Sequence, residues 1–449
     1  MPISVTNGRL GRMTSTEWAI CAIACIGFLF DTYALLMLSL VVQPALTELL
    51  GAKPGSPAFN HWVGMLFYIP AVAGGIFGLL GGYLIDRLGR RRILLWSIVM
   101  PALVTFVTAY ATSAVELLVL RSLTFIGVSV EFVAATAWLA ELFTDREKRE
   151  AILGYTQGFS STGGIFMSGA FYLAVTFSPR LPAIHGGHEA WRYTLMSGIL
   201  PAVPVMLVLP FLPESPIWEK KRLDGTLKRP RVAELFEPAY RKTALLTCLM
   251  MACAYAASFG MLQHFARIIP GTPGVRILAH AAQQQKVGGL QGAQELGGLV
   301  GRFLMAFLAV RLLGRRRLLH IFQVPGLVLI PLVLFVPAMR DADMSGWGIF
   351  LLGLVSVAQF SFWGNYLPLA YPTHLRGTGE SFAANIGGRM FGTSAALLTT
   401  TLVAHMPGGT PTRQLTYAAG VVGFLAYAIG FVASFWLPEP SSASALELE

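Results

Sequence analysis

Three ionisable side chains stand inside long apolar runs of this chain. Asp31 lies in the run FDTY, and Arg121 and Glu131 lie ten residues apart in a later run. An ionisable residue at the centre of a bilayer costs about 2.5 kcal/mol or more and marks a functional site by default. If both runs are helices, Asp31 and Arg121 differ in depth by a few helical rises, which an Arg side chain spans. A movable Arg121 would give Asp31 a different proton affinity in each conformation, as proton-coupled transport requires.

Structural interpretations of the same residues remain open. Asp31 and Arg121 could form a permanent ion pair that only packs two helices together. Glu131 could be a second proton site, a ligand for a cationic substrate, or a partner of Arg90 or Arg149 in a charge network. The sequence does not choose between these roles.

Two arginines in later apolar runs are candidates for binding an anion. Arg389 and Arg302 each present a planar guanidinium, which binds a carboxylate or phosphate through paired hydrogen bonds. Glycines flank both, at Gly301, Gly387 and Gly388, so close helix contacts with each Arg bonded to main-chain carbonyls are an alternative. We expect a substrate role for Arg389 more than for Arg302.

Polar and aromatic groups in four other runs complete the candidate binding site. Gln157 could equally make an interhelical hydrogen bond. His264 and Arg267, near the end of a run, are candidates for attracting anions or gating. The segment 271–286 includes a possible surface helix from Arg276 to Lys286, with no function assigned. The candidate substrate-binding residues are Tyr33, Gln157, Tyr255, Ser258, Trp363, Asn365, Tyr366 and Arg389.

The elements that must position these residues are membrane helices. Hydrophobic residues make up 55% of the 449 and charged ones 12%, against roughly 25% charge in a soluble domain. About 20 apolar residues cross a bilayer as helix, and continuous rather than alternating runs exclude strands. The sequence therefore predicts an all-α membrane protein with twelve spans, at about 17–43, 60–84, 93–112, 114–139, 152–177, 192–212, 243–266, 288–310, 318–338, 346–369, 380–404 and 415–437.

The basic residues predict how these spans are oriented. With Met1 inside, 22 of the 33 Lys and Arg residues fall in cytoplasmic segments, as the positive-inside rule requires. Both termini are therefore predicted to be cytoplasmic. The net charge of +10 follows from this asymmetry and from anionic lipid at the inner face, so no nucleic-acid partner is expected.

An internal repeat divides the chain into two halves. The loop GYLIDRLGRRR at 82–92 has a degraded copy, RLLGRRR, at 311–317, and the glycines Gly89 and Gly314 are 225 residues apart. The LPE triplets at 212–214 and 437–439 share that offset. We predict a six-helix bundle at 1–218, a cytoplasmic linker at 219–242, a second bundle at 243–440 and a tail at 441–449, whose last residues resemble a cloning scar. Parallel repeats place a substrate cavity between the halves.

Several motifs resemble those of the major facilitator superfamily. The 82–92 loop is similar to that family's loop between helices two and three, RxLxxxG at 121–127 to its helix-four motif, and PESP at 213–216 to the motif closing helix six in sugar porters and organic-ion transporters. YPTxxRGxG at 371–379, followed by Gly388 and Arg389, resembles the organic-ion and aromatic-acid branches. The resemblance implies two pseudo-symmetric six-helix bundles, alternating access, and a helix-one Asp and helix-four Arg like those of proton-coupled sugar porters.

The repeated loop is expected to form a latch that breaks and forms between conformations. Asp86 is placed to meet the positive N-terminus of a neighbouring helix, and Arg90 and Arg91 are placed to reach Glu141 or Glu214. In the second copy Arg311 replaces the acid, which predicts a weaker latch there. The expected latch residues are Gly82, Asp86, Gly89, Arg90, Arg91, Glu141, Arg149, Glu214, Arg315, Arg316 and Arg376.

These features together predict a proton-coupled symporter for a small organic anion, such as a mono- or dicarboxylate or an aromatic acid. The alternatives are a carrier of a neutral or cationic solute, including drug efflux, and a non-transporting membrane sensor. No Walker motif, metal-ligand spacing or nucleophile elbow occurs, so no ATP site, cofactor or enzyme activity is expected. We expect a monomer in a bacterial inner membrane, with lipid, protons and a small-molecule substrate as partners.

Overall fold

Each of the twelve predicted spans is helical in the structure. The computed structural model describes residues 13–143, 145–225, 231–311, 314–371 and 375–438. We number the spans α1 to α12 in chain order. They are α1 Ser15–Leu50, α2 Pro57–Leu88, α3 Arg90–Thr108, α4 Ala114–Leu142, α5 146–177, α6 Ala190–Phe211, α7 Arg241–Gly271, α8 His280–Arg311, α9 Arg315–Arg340, α10 Gly346–Ala370, α11 376–405 and α12 Pro411–Ser434.

Five of these spans are interrupted. Short 3-10 turns divide α5 at Phe159–Ser161, α6 at Ser197–Ile199 and α7 at Leu262–His264. Wider π-helical stretches occupy Pro331–Phe335 of α9 and Phe382–Gly392 of α11. Such π segments occur frequently at functional sites.

Nine helices in the described part of the chain are long and apolar enough to cross a membrane. The other three predicted spans are α5, α8 and α11, which are rich in Gly, Ser, Gln or Asn. The difference in polarity matters for function, because these three helices lie at contacts between the two halves.

Two predicted segments differ from the structure in their boundaries. Helix α8 begins at His280, eight residues before the predicted start, because AAQQQK at 281–286 consists of good helix formers. It therefore absorbs most of the expected surface helix at 276–286. The predicted linker 219–242 holds the end of a short helix, Pro216–Leu223, and a 3-10 turn, Val232–Phe236; residues 226–230 lie outside the described part.

Helices of each half pack mainly against one another. In the first half α4 packs on α1, α2 and α3, and in the second half α10 packs on α8 and α9 while α12 packs on α7. The halves meet along two seams, α2 with α11 and α5 with α8. The candidate site lies where these seams approach α1.

Candidate functional site

An ion pair joins the two halves at the centre of the molecule. Arg389 on α11 donates from Nη2 to Asp31 Oδ1 at 3.1 Å and Oδ2 at 3.4 Å on α1. Its Nη1 donates to Ser129 Oγ on α4 at 3.4 Å. Arg389 is 2% exposed and Asp31 8%, so the pair is shielded from solvent. The Nε of Arg389 has no hydrogen-bond partner among the described residues, which leaves one donor unused.

The local backbone of α11 explains how Arg389 reaches α1. Arg389 lies in the π-helical stretch Phe382–Gly392. A Cβ at Gly388 would come within 2.7 Å of the Tyr255 ring, so glycine is what lets α11 pack closely on α7. Tyr255 in turn stacks on Phe259, with ring centroids 5.8 Å apart. The aromatic ring thus supports the segment that presents the guanidinium.

Arg121 is not the partner of Asp31 in this structure, contrary to the sequence expectation. Its guanidinium donates to the carbonyl oxygens of Ala34 at 2.7 Å and Leu35 at 2.9 Å, and it lies 5.6 Å from the Phe125 ring centroid. These carbonyls are about one turn beyond Asp31 on α1, so Arg121 sits one turn too far toward the predicted outer side. Here Arg121 fastens α4 to α1.

Glu131 lies fully buried beside the ion pair. It has 0% exposure, and neither carboxylate oxygen has a hydrogen-bond partner among the described residues. A Cβ at Gly27 would come within 2.9 Å of Glu131 Oε1. Gly27 is one helical turn before Asp31 on α1, so the carboxylate of Glu131 on α4 approaches α1 one turn away from Asp31.

Arg302 crosses the seam between α8 and α5. Its Nη1 donates to the main-chain oxygen of Gln157 at 3.2 Å and to Ser160 Oγ at 2.6 Å. The alternative in which Arg302 bonds a main-chain carbonyl is the one observed. The Gln157 side chain packs against Gly364 of α10, so both residues take part in contacts between the halves.

Sequence reasoning missed a buried carboxylate on α8. Glu295 is 2% exposed and accepts hydrogen bonds from Gln291 Nε2 at 3.0 Å and Gln294 Nε2 at 2.9 Å, both on Oε1. Its Oε2 lies against Gly164 of α5, where a Cβ would collide. The sequence pattern that could have identified Glu295 is an acid in an apolar run with glutamines one and four positions before it.

Three predicted lining residues make packing contacts in this structure. Tyr33 hydrogen bonds Ser197 within the first half, with 2.6 Å between the hydroxyls. Tyr366 donates to the Pro438 carbonyl at 2.7 Å, and Trp363 packs edge-on against Phe362 at 4.9 Å. Ser258 is 5% exposed on α7. The side chain of Asn365 lies outside the described part.

The repeat offset explains where Trp363 and Tyr366 lie. Subtracting 225 gives Trp138 and Glu141, and Trp138 Nε1 donates to the Pro213 carbonyl at 3.1 Å. Pro438 is the repeat equivalent of Pro213. The repeat therefore relates Trp363 and Tyr366 to the predicted cytoplasmic ends of the helices, and their place in the binding site stays a prediction.

The first half contains several of the contacts expected for the latch. Arg90 binds Glu141 through Nη2 and Nε, each at 3.0 Å. Ser215 Oγ donates to the same carboxylate at 2.5 Å. Glu214 accepts from the main-chain N–H of Arg91 at 3.0 Å, not from its guanidinium.

The Arg91 guanidinium donates instead to the Leu212 carbonyl at 2.5 Å. The equivalent contact in the second half is Arg316 Nε with the Leu437 carbonyl at 2.8 Å. Both pairs are offset by 225 residues, so the two halves reuse one contact. Arg315 begins α9.

Gly89 has a φ of +99° and lies beside Glu214 Oε2. Glycine is required at this position by both the backbone angle and the space. The surroundings of Gly82 and the side chains of Asp86, Arg149, Arg311 and Arg376 lie outside the described part.

The predicted outer ends of the halves also touch. Arg267 Nη2 donates to Asn60 Oδ1 at 2.5 Å, and its Nη1 lies 3.2 Å from His264 Nδ1. Phe67 of α2 contacts Phe259 of α7, with ring centroids 6.3 Å apart. These contacts join the two halves on the predicted outer side of Asp31 and Arg389.

Two helical bundles that meet around a buried charge pair define a secondary membrane transporter. The chain belongs to the Major Facilitator Superfamily, whose sequence profile matches residues 20–396. It is a multi-pass membrane protein and not an enzyme.

Relatives and solved structures agree with this assignment. The chain is 27% identical over 428 residues to a probable 4-methylmuconolactone transporter of Cupriavidus pinatubonensis, covering 95% of this chain and 91% of the relative. It is 23% identical to the cis,cis-muconate transport protein of Acinetobacter baylyi, covering 85% and 87%. A crystal structure of a D-xylose-proton symporter superposes with a TM-score of 0.71 at 19% identity, over 95% of this chain and 99% of the other. The likeness to the symporter structure concerns the fold alone.

Proposed function

We propose that this transporter carries a small organic anion together with a proton, and that the Asp31 and Arg389 pair couples the two. The observation that supports this most is that a buried arginine suited to a carboxylate is held by the protein's own carboxylate. When Asp31 takes up a proton it loses its charge and releases Arg389. A substrate carboxylate then replaces Asp31 at the guanidinium.

Charge balance makes the coupling strict. A buried ion left without its partner costs several kcal/mol. An empty carrier with ionised Asp31 is balanced, and so is a loaded carrier with protonated Asp31 and a bound anion. The two mixed states leave either Arg389 unpaired or two carboxylates on one guanidinium. At the Asp31 and Arg389 pair, the balanced states are the ones suited to the closed conformation through which the carrier must pass.

The unused donor on Arg389 fits this exchange. Its Nε is unpartnered among the described residues, so a substrate carboxylate would gain a second hydrogen bond in the forked geometry that guanidinium groups favour. Glu131 contributes differently. Because neither of its oxygens is bonded, a neutral carboxylic acid suits its surroundings far better than a carboxylate, and we assign it the role of a proton-holding neighbour.

The names of two relatives support an organic acid as the proposed substrate class. Muconate is a carboxylate, and the two named relatives cover nearly the whole chain. We propose mono- and dicarboxylates of this kind as substrates, with uptake into a bacterial cell across the inner membrane. A neutral sugar leaves the released charge of Arg389 uncompensated, so hexoses and pentoses rank below acids.

The test begins with purified protein. Thermal stabilisation by cis,cis-muconate, 4-methylmuconolactone, benzoate and D-xylose identifies a ligand, and proteoliposomes then report proton movement with a pH-sensitive dye when that ligand is added outside. We expect stabilisation by an acid and a substrate-dependent proton influx. Stabilisation by D-xylose alone, or acid transport with no proton movement, would refute the proposal.

A further inference from the structure

We propose that Glu295 is a second proton-binding site of the transport cycle, located in the second half of the molecule. This inference rests on the proposed function. Glu295 shares one face of α8 with Gln291 and Gln294, which are spaced four and one positions before it. All three side chains are at least 98% buried, with exposures of 2%, 1% and 0%.

The surroundings of Glu295 differ from those of Asp31. No Lys, Arg or His nitrogen of the described residues comes within 4.0 Å of its carboxylate. It is held by neutral amides, through the hydrogen bonds of 3.0 and 2.9 Å from Gln291 and Gln294. A carboxylate held by a cation loses a strong partner when it is protonated, whereas one held by amides does not.

Amide partners suit both protonation states. The Oε1 atoms of Gln291 and Gln294 are buried and have no hydrogen-bond partner in the described part. A terminal amide offers N–H on one side and C=O on the other. With ionised Glu295 both amides donate; with protonated Glu295 one amide turns over and accepts from the carboxyl O–H. Only the N–H and C=O ends of that amide change places, so the Oε1 side of the carboxyl group keeps two partners in either state.

The seam between the halves gives Glu295 access to water. Its Oε2 lies against the backbone of Gly164 on α5, in the other half. Glu295 lies midway along α8, between His280 and Arg311. Rocking of the halves parts this seam from one side at a time, so a site at mid-height meets water from each side in turn.

The charged groups on the helices around Glu295 lie at other heights along those helices. On α8 itself Arg302 is two turns away and is bound to Gln157 and Ser160. On the α5 stretch that faces α8, 162–177, the ionisable residue is Tyr172, which is 43% exposed. Around the Gln294 contact with Gly353 on α10, residues 347–360 contain no ionisable group.

The ends of the neighbouring helices carry the remaining charges. Arg267 of α7 contacts His264 and donates to Asn60 at the outer end. Arg315 and Arg316 begin α9 at the opposite end. Gly163 of α5 packs against the α1 backbone at Leu29 and Tyr33, so α5 lies between Glu295 and the Asp31 segment of α1.

Transport currents test the proposal. One proton per monoanion moves no net charge, whereas two protons move one positive charge inward. Proteoliposomes on a solid-supported membrane are given the monoanion that the ligand screen identified. We expect an inward positive current from wild type and about two protons per anion from the reversal potential. We expect Glu295→Gln to lose the current while retaining substrate exchange, with a ratio of about one.

Three outcomes are distinguishable. An electroneutral wild type with one proton per anion overturns the role of Glu295 and leaves the proposed function intact. An unchanged ratio in Glu295→Gln overturns it as well. Absence of any proton coupling in wild type refutes the proposed function itself. Glu295→Asp, which keeps the acid, controls for loss of packing and is expected to keep the wild-type ratio.

Discussion

Asp31 and Arg389 lie 358 residues apart in the chain and are hydrogen bonded at 3.1 Å across the contact between the two halves. A bond that spans the halves must respond when they move. If a substrate carboxylate replaces Asp31, the bridge between α1 and α11 passes through the substrate. Binding, protonation and the relative position of the halves are then controlled at one guanidinium.

Removing the guanidinium is expected to abolish tight anion binding. Charge-assisted hydrogen bonds contribute about 1.5 to 3 kcal/mol each, so Arg389→Gln should weaken the binding of the acid about 10- to 100-fold. Arg389→Lys keeps the positive charge but loses the forked pair of donors, so its affinity for the acid should lie between those of wild type and Arg389→Gln. Isothermal titration of the purified variants measures both effects.

Arg121→Gln is the matched comparison, because Arg121 is also buried yet bonds only carbonyls of α1 among the described residues. It should lower the midpoint of thermal unfolding, since two charged donors to Ala34 and Leu35 are lost, while affinity for the acid stays within about threefold. If Arg121→Gln weakens binding as much as Arg389→Gln does, Arg121 is the substrate ligand and the assignment is reversed.

The outer contact between Asn60 and Arg267 should control opening toward the outer face. Asn60→Asp converts a neutral acceptor into an ionised one, so the existing hydrogen bond from the Arg267 guanidinium becomes an ion pair and is strengthened. We expect slower labelling by a polar thiol reagent of a cysteine placed at Phe67, in a background without the four native cysteines. Asn60→Ala should label faster than the parent. Equal rates in all three proteins would show that this contact does not hold the outer end closed.

The predicted cytoplasmic ends of α4 and α10 offer a paired test of the repeat. Glu141→Gln removes the charge that binds Arg90 twice, and should destabilise by about 1 to 3 kcal/mol. Tyr366→Phe removes one neutral hydrogen bond to Pro438 and should cost about 1 kcal/mol. The midpoints of thermal unfolding of Glu141→Gln and Tyr366→Phe show which substitution destabilises the protein more.

Substrate binding separates the packing role of Tyr366 from a role in the cavity. Because Tyr366 is the repeat equivalent of Glu141 and bonds the end of the described chain, we expect Tyr366→Phe to bind the acid as wild type does. A loss of affinity beyond about threefold would return Tyr366 to the binding site.

The spans could be predicted from sequence because each residue contributes its hydrophobicity independently of the fold. The side chain that pairs with Asp31 could not be predicted in this way. A run that is apolar on all sides does not define which face of α11 meets α1, and a π-helical stretch at 382–392 rotates that face further. The predicted depths in the membrane favoured Arg121 as the partner of Asp31. In the structure the Arg121 guanidinium lies about one helical turn away from Asp31.

Other parts of the site were accessible to sequence reasoning but were not found. The offset of 225 residues relates Trp363 and Tyr366 to Trp138 and Glu141, and so predicts that they lie near the cytoplasmic ends of the helices. Glu295 is an acid within an apolar run, as Asp31 is. The satisfied hydrogen bonds from Gln291 and Gln294, however, depend on side-chain positions that spacing does not supply.

The affinity of the acid as a function of pH tests the central claim most directly. If the substrate displaces Asp31 from Arg389 only after Asp31 is protonated, binding takes up a proton and the dissociation constant rises by about tenfold per pH unit for that proton. In Asp31→Asn the guanidinium is free at every pH. The account predicts that the slope of log Kd against pH falls by one in Asp31→Asn, with affinity at high pH above that of wild type. An unchanged slope in Asp31→Asn would contradict it.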